Sequence, residues 1–430
     1  PGDSFLGLYH VGQGKEQKLL GEVLPGDSVG EAGILSGDPR SAGIRAIRDS
    51  LLIRLGKEDF QALAAPHPAM VMKLAGHVAR LMQRNLRGTG NTQRPFSTVC
   101  LVRLHDSGRV RDGIETLISS LCNGRRALVV SPQRLRDAGA PSEGFDSKGA
   151  LSPELREWLE DREDEYPLLV YICSARNDAW ARFALRQSDI TLWMADAGET
   201  PGATEPHAAL QPTGKQALVL HHAKDAMIRD TQQWLQGRSF DFHLHRRDAH
   251  AADLDRLVRI LSGSAIGLVL GAGAVRGLAE LGVYQAMVEL GIPVDWVGGS
   301  SIGSIVGGAI AMDWTPDHAI NMARESFVKG KPFSDYTLPM ISLISGKRMA
   351  RLLRKNLDVC IEDLPIPYFC VSSRLDKGEV HVHERGDLVK ALANSLERIE
   401  LVDATIEIGG AEYVSYNEMI RTVMRVSGAQ

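Results

Sequence analysis

Residues 266–312 read IGLVLGAGAVRGLAELGVYQAMVELGIPVDWVGGSSIGSIVGGAIAM, and this stretch decides the fold. It holds two glycine-rich turns, each set between an apolar strand and a helix. The first is Gly271-Ala272-Gly273-Ala274-Val275-Arg276-Gly277, between a predicted strand at Ile266–Leu270 and a predicted helix at Leu278–Glu289. The second is Gly299-Ser300-Ser301-Ile302-Gly303, between a predicted strand at Val294–Val297 and a helix beginning within Ser301–Ala311. Gly-x-Ser-x-Gly in that setting is a nucleophile elbow. The tight turn projects the Ser301 hydroxyl clear of the backbone, and the flanking Gly299 and Gly303 avoid Cβ clashes. The helix that follows aims its N-terminal dipole at the serine, favouring negative charge there. The first turn fits either a dinucleotide pyrophosphate on a helix N-terminus or an acyl oxyanion held by backbone N–H groups. Asp295 lies in the next strand, but that strand leads into another glycine turn rather than a ribose site. A serine elbow one βα unit later favours the oxyanion reading.

The segment from about Leu257 to Ser395 resembles a patatin-like phospholipase domain, most nearly that of the neuropathy target esterase branch. The resemblance implies a Ser-Asp dyad without histidine, acting on phospholipid and lysophospholipid esters. It makes Ser301 the nucleophile and Gly271, Ala272, Gly273, Ala274, Arg276 and Gly277 the oxyanion loop with its arginine. It also implies a three-layer α/β/α hydrolase domain over residues 257–430. Two departures stand out. The family loop is largely glycine before the arginine, whereas here Ala272, Ala274 and Val275 intervene; alanine donates its N–H but resists positive φ. The family aspartate sits in a D-G-[GA] motif, and none of Asp313, Asp317, Asp335, Asp358, Asp363, Asp376, Asp387 or Asp403 is followed by Gly-Gly or Gly-Ala. The catalytic aspartate is therefore unknown. Against the family pattern, a loop and strand are missing between about Ser395 and Leu396, and Leu401–Ile408 already reads like the last strand. The reading favours an aspartate on a stretch not contained in this sequence; a deletion leaving an inactive hydrolase is the alternative.

The chain has 430 residues, enough for two or three domains. Its 44% apolar and 24% charged content is that of an ordinary globular protein, and a net charge of −4 argues against nucleic acid as a partner. Cys100, Cys122, Cys173, Cys360 and Cys370 show no metal or disulfide spacing and read as buried thiols of a reducing compartment. No apolar run of about 18 residues appears. The expected location is cytoplasmic and peripheral to a membrane surface. Because the chain starts mid-element at Pro1, an anchor before it stays open, as does homo-oligomerisation.

Residues 1–90 alternate short strands with turn signals, as an N-terminally incomplete β-roll does, and close with a helical pattern at Pro68–Arg84. Within it, Gly30-Glu31-Ala32-Gly33-Ile34-Leu35-Ser36-Gly37-Asp38-Pro39-Arg40-Ser41-Ala42 resembles the phosphate-binding cassette of cyclic-nucleotide-binding domains. The resemblance implies Glu31 on a ribose hydroxyl, Arg40 on the cyclic phosphate, and Gly30, Ser41 and Ala42 completing the cradle. The expected effector is cyclic AMP or cyclic GMP; a roll that has kept its fold and binds nothing is the alternative. A polar linker follows at 85–95.

Residues 97–256 alternate apolar strands (Thr98–Leu104, Ala127–Ser131, Leu168–Cys173, Ile190–Ala195, Ala217–His221) with helical segments (Arg111–Leu121, Ser152–Glu163, Asp178–Arg186, Ala226–Leu235). That pattern predicts a covered parallel sheet. It resembles the Rossmann-like region preceding the hydrolase in neuropathy target esterase relatives, with Leu185–Asp189 as a local match. The first strand runs into Leu104-His105-Asp106-Ser107 with no phosphate-binding lysine, which argues against nucleotide hydrolysis. His221, His222, His243, His245 and His250 lack a third ligand at metal spacing, so no metal is expected. His381 and His383 alternate on a strand expected to pair with Pro367–Ser373, and nothing in the sequence brings them to the elbow. Phe333, Tyr336, Leu338, Met340 and Leu343 beside Lys329, Lys331, Lys347 and Arg348 fit either a lipid-entry rim or ordinary core. The sequence thus predicts a serine phospholipase or lysophospholipase with no catalytic cofactor; the rival is a cyclic-nucleotide sensor using an inactive hydrolase fold as scaffold.

Overall fold

The computed structural model describes residues 6–11, 17–23, 28–30, 33–34, 43–46, 52–67, 69, 71–76, 78, 95–135, 137–141, 144, 151–174, 178–201, 214–330, 347–374 and 379–396. The chain forms two compact units, one of residues 1–195, 202–217 and 430, the other of residues 196–201 and 218–429.

The first unit opens with an antiparallel sheet of β1 (Leu6–Val11), β2 (Gln17–Val23) and β3 (Gly43–Ala46), in the order β2-β1-β3. A bulge between Leu8 and Tyr9 shifts the register of β1 on β2. Helix α1 (Lys57–Ala64) buries Phe60, and the predicted terminal helix is seen at 71–76.

A parallel βα series follows: β4 (Thr98–Arg103), α2 (Gly108–Cys122), β5 (Ala127–Val130), α3 (Pro153–Glu165), β6 (Leu168–Ser174), α4 (Ala179–Gln187) and β7 (Ile190–Asp196). Strands β5, β6, β4 and β7 lie side by side in that order, all parallel. Every residue of β7, and all of β4 but Arg103, is buried, as a sheet covered on both faces requires. Local signals fix the helix starts: Ser152 Oγ accepts the Leu155 N–H ahead of Pro153, and Asp178 Oδ1 accepts the Ala181 N–H. The Leu185–Asp189 motif has a physical role. One carboxylate oxygen of Asp189 accepts from Ser97 N–H, Ser97 Oγ–H and Thr98 N–H, tying the start of β7 to the start of β4.

Strand β8 (Lys215–His222) carries the chain into the second unit, which continues with α5 (Thr231–Leu235), β9 (Phe242–Arg247) and α6 (Ala251–Leu261). The helix predicted at Ala226–Leu235 is shorter because Asp230 sits in the left-handed region, φ 63°, and stops it toward the N-terminus. Then come β10 (Gly267–Leu270), a 3-10 turn (Ala274–Ala279), α7 (Glu280–Glu289), β11 (Trp296–Ser300), α8 (Ile302–Ala311), α9 (Pro316–Ala323), a π-helical turn (Arg324–Lys329), α10 (Lys347–Leu357), β12 (Tyr368–Arg374), β13 (Glu379–His383) and α11 (Leu388–Leu396).

The sheet order is β10-β11-β12-β13, parallel except for β13, which returns antiparallel on β12 as the hairpin pattern predicts. The larger core packs on the face that carries Leu270, Tyr368 and Cys370, and the alternating residues Phe369 and Val371 form a smaller cluster with Val269 and Val382. Helix α8 is buried along its whole length among Leu270, Val297, Tyr368, Leu357, Leu388 and Leu392. Strand β11 begins and ends later than the predicted Val294–Val297. Asp295 is instead a staple before the strand, accepting from Arg259 Nη2 at 2.6 Å and from the Ile266 N–H at 2.9 Å. Pairing with β12 then runs on to Ser300, opposite Val371. Ser395 and Leu396 close α11, and the residues from 397 onward lie outside the described ones. Leu401–Ile408 lies outside the described residues.

Candidate active site

Two strand-to-helix turns meet at the C-terminal ends of β10 and β11, and glycine lets them meet. A Cβ on Gly277 would lie 2.2 Å from Ile302 Cγ2, and one on Gly303 would lie 2.5 Å from the Gly271 carbonyl oxygen. Each turn therefore carries a glycine whose missing side chain makes room for the other. Gly299 is similarly pressed against its own helix, where a Cβ would come within 2.5 Å of Ser304 Cα. The alanines of the first turn need no special geometry: no residue from Gly271 to Gly277 takes positive φ, and Gly273 is extended at φ −170°. The loop that departs from the family's glycines thus keeps a backbone that alanine adopts without strain.

Ser301 sits at the junction of β11 and α8 with φ 53° and ψ −125°, a conformation that costs a side-chain-bearing residue on the order of 1–3 kcal/mol. Its N–H donates to Ser395 Oγ at 2.9 Å. Its carbonyl accepts the Ser304 N–H at 3.0 Å and the Ser304 hydroxyl. The Ser304 carbonyl in turn accepts the buried Tyr368 hydroxyl at 2.8 Å. Burial pushes that phenol well above its ordinary range, so it stays a neutral donor.

In the first turn, the Gly271 N–H donates to Glu280 Oε1 at 2.9 Å, while Arg276 is exposed. Burial raises the Glu280 carboxyl, and the Gly271 N–H draws it back only in part. Its second oxygen is buried without a partner among the described residues. Glu280 escaped sequence reading because it looks like an ordinary acidic residue in the first turn of a helix.

The downstream carboxylates are engaged elsewhere. Asp313 meets Arg247 at 2.7 Å, Asp363 accepts the Thr231 N–H at 3.0 Å, and Arg354 bridges Asp358 and Asp387 at 3.0 and 2.9 Å. Asp317 is exposed in the first turn of α9. Asp335, Asp376 and Asp403 lie outside the described residues. Among the described residues, no carboxylate hydrogen-bonds Ser301.

Five of the histidines fall into two groups, while His221 meets Arg246 and His250 meets Arg247 and Asp253. His383 Nε2 meets Ser372 Oγ at 2.8 Å on neighbouring strands, and its ring lies edge-on to His381. Burial, then His381, lowers its pKa. Ser372 follows Val371, which pairs with Ser300, so the sheet register brings this pair nearer the elbow than the sequence implied. The second group is held by a backbone oxygen: His243 Nε2 and His245 Nε2 both donate to the Glu362 carbonyl at 2.9 Å, and His222 Nε2 donates to His245 Nδ1 at 3.0 Å. Burial lowers His243 to about 4 and His245 well below its ordinary range, so both are neutral. Among the described residues no group of side chains forms a metal site.

Of the cyclic-nucleotide cassette, Gly30 is described, at φ 89° with its carbonyl accepting the Ile34 N–H; Glu31, Arg40, Ser41 and Ala42 lie outside the described residues. The same holds for Phe333, Tyr336, Leu338, Met340, Leu343 and Lys331 of the expected rim. Lys329 pairs with Glu325, and Arg348 donates to the Gly330 carbonyl. Among the described residues no helix is long and apolar enough to cross a membrane.

Comparison with known proteins gives three family matches in series. Residues 4–67 match the cyclic nucleotide-binding domain, residues 95–252 the Neuropathy Target Esterase family P-loop like domain, and residues 268–398 the patatin-like phospholipase. An uncharacterized NTE family protein of Mycobacterium tuberculosis is 29% identical over 405 residues, covering 92% of this chain and 66% of its own. A lysophospholipase of Mycosarcoma maydis is 27% identical over 467 residues, and the neuropathy target esterase of Drosophila melanogaster 28% over 431; 89% of this chain is covered in each, against 24% and 30% of theirs. The chain therefore spans just under two thirds of the bacterial relative and less than a third of the fungal and fly ones. With a serine elbow and glycine turn inside the patatin-like match, this series makes the chain similar, region by region, to neuropathy target esterase relatives: a cyclic nucleotide-binding match, then the P-loop like match, then the patatin-like phospholipase match.

Proposed function

We propose that the protein is a serine ester hydrolase whose substrates are phospholipids or lysophospholipids. The observation that carries this reading is Ser301: a non-glycine residue at φ 53°, capping a fully buried helix beside a second glycine turn. In the proposed reaction Ser301 Oγ bonds to the acyl carbonyl carbon while its proton passes to a base. N–H groups of Ala272, Gly273 and Ala274 hold the oxyanion, the Gly271 N–H being taken by Glu280. Collapse expels the alcohol, and water then releases the fatty acid. Arg276, exposed at the turn, attracts the phosphate headgroup. The fungal relative's name, a lysophospholipase, supports the substrate class. Residues Glu31 and Arg40 are proposed to hold cyclic AMP or cyclic GMP, which biases access to the site from a membrane surface.

A second reading, an inactive hydrolase fold serving a cyclic-nucleotide sensor, draws support from one observation: every described aspartate after Ser301 is engaged elsewhere or exposed. Labelling with a fluorophosphonate probe separates the two. The hydrolase reading expects labelling of the wild type and none of Ser301→Ala, with Asn at Asp335, Asp376 or Asp403 suppressing it if that residue is the base. An unlabelled wild type would favour the sensor, and cyclic AMP would then be the first ligand to test.

A further inference from the structure

The nucleophile's backbone is held at both ends by side-chain hydroxyls from outside the Gly-x-Ser turn itself. Ser304 holds the carbonyl of Ser301. At the amide end, Ser395 accepts the Ser301 N–H at 2.9 Å and donates its own proton to the Val371 carbonyl at 2.8 Å. A hydroxyl has one proton to give, and here the Val371 carbonyl takes it. That leaves an oxygen lone pair for the Ser301 N–H, and the direction of both bonds is fixed. Val371 pairs with Ser300, so Ser395 plugs the gap where β11 leaves its partner strand to make the elbow.

The consequence concerns strain. At φ 53° the Ser301 peptide relaxes unless its flanking groups are over-determined. Rotating the Ser301 amide away would break a bond to an oxygen that has no other donor among the described residues. The same bond uses up the Ser301 N–H, so this group is not an oxyanion donor. Together with Glu280 on Gly271, it removes two amides from the set that could hold the oxyanion.

We infer that Ser395 is a positioning residue of the proposed hydrolase, holding the Ser301 amide so that the strained elbow keeps its hydroxyl aimed at the oxyanion turn. The inference rests on Ser301 being the nucleophile, and its test is built to fail separately. The 430-residue chain and its Ser301→Ala, Ser395→Ala and Ser395→Thr variants would be compared in fluorophosphonate labelling rate, in kcat and KM on a lysophospholipid, and in Tm. Loss of labelling in Ser301→Ala secures the underlying reading. Ser395→Ala is then expected to lower labelling rate and kcat together, by about tenfold to a hundredfold, with KM nearly unchanged, since misaligned reacting groups cost rates of that order. Ser395→Thr, which keeps the hydroxyl, is expected to restore most of the loss. Wild-type rates in Ser395→Ala would overturn the inference. So would equal defects in both Ser395 variants, or a defect that follows Tm and KM, because each assigns Ser395 to packing.

Discussion

Two strand-to-helix junctions in this protein share an architecture and differ in what they can do. In the first unit, β4 ends at Arg103 and α2 starts at Gly108, with Ser107 between them at φ −90°. Asp106 there makes exposed contacts to Arg103 and Arg111 at 3.6 and 3.9 Å, which are worth little. In the second unit, β11 ends at Ser300, α8 starts at Ile302, and the single residue between them is strained. The first junction relaxes over several residues, so no side chain is forced into a special direction. The second makes its turn within one residue and holds that residue with three hydrogen bonds, to the Ser395 hydroxyl and to the Ser304 hydroxyl and N–H, with Ser395 anchored in turn on the Val371 carbonyl. Compression is what sets the second βα junction apart as a candidate site, and the sheet beneath it supplies the rigidity.

The comparison can be broken by adding one methyl group to each junction. Gly303→Ala puts a Cβ 2.5 Å from a backbone oxygen that cannot step aside, because Gly271 is itself held by Glu280. It is expected to abolish fluorophosphonate labelling and to cost about 1–3 kcal/mol of stability, measured by urea unfolding. A labelled, fully stable Gly303→Ala would mean that the two turns do not interlock.

Glu280→Gln sharpens the picture on the oxyanion side. A carboxyl whose folded pKa is raised contributes stability below its unfolded pKa and loses it as pH rises through the folded value. The glutamine variant should therefore unfold at a higher temperature than wild type at pH 7, the gap closing below about pH 4.5 as the carboxyl protonates. A gap independent of pH would remove burial of the charge as its cause.

The smallest effect is expected at the first junction. A Cβ on Gly108 meets nothing within 4 Å, so Gly108→Ala should raise stability by up to about 1 kcal/mol through helix propensity and leave labelling untouched.

Much of this was legible in the chain. The two turns, the parallel βα series and the hairpin at β12 and β13 rest on local patterns of apolar runs, glycines and caps, and such patterns survive folding. The later start of β11 was not legible, because it depends on Asp295 finding Arg259 far back in the sequence. Ser395 and Glu280 were equally hidden: a serine near a helix end and a glutamate in a first turn carry no signal until the fold puts an amide in front of each. His383 shows the same limit, since only the register of β12 on β11 brings it toward the elbow.

The strain at Ser301 also has an evolutionary reading. Glycine occupies positive φ without a Cβ penalty, so a chain whose hydroxyl at 301 did nothing would gain stability of about 1 kcal/mol by mutating to glycine. Drift would take that path readily, since it needs one residue and disturbs no packing. Under the proposed function, a serine in a place that glycine would fill more comfortably is what selection for the hydroxyl, against the pull of the fold, would leave.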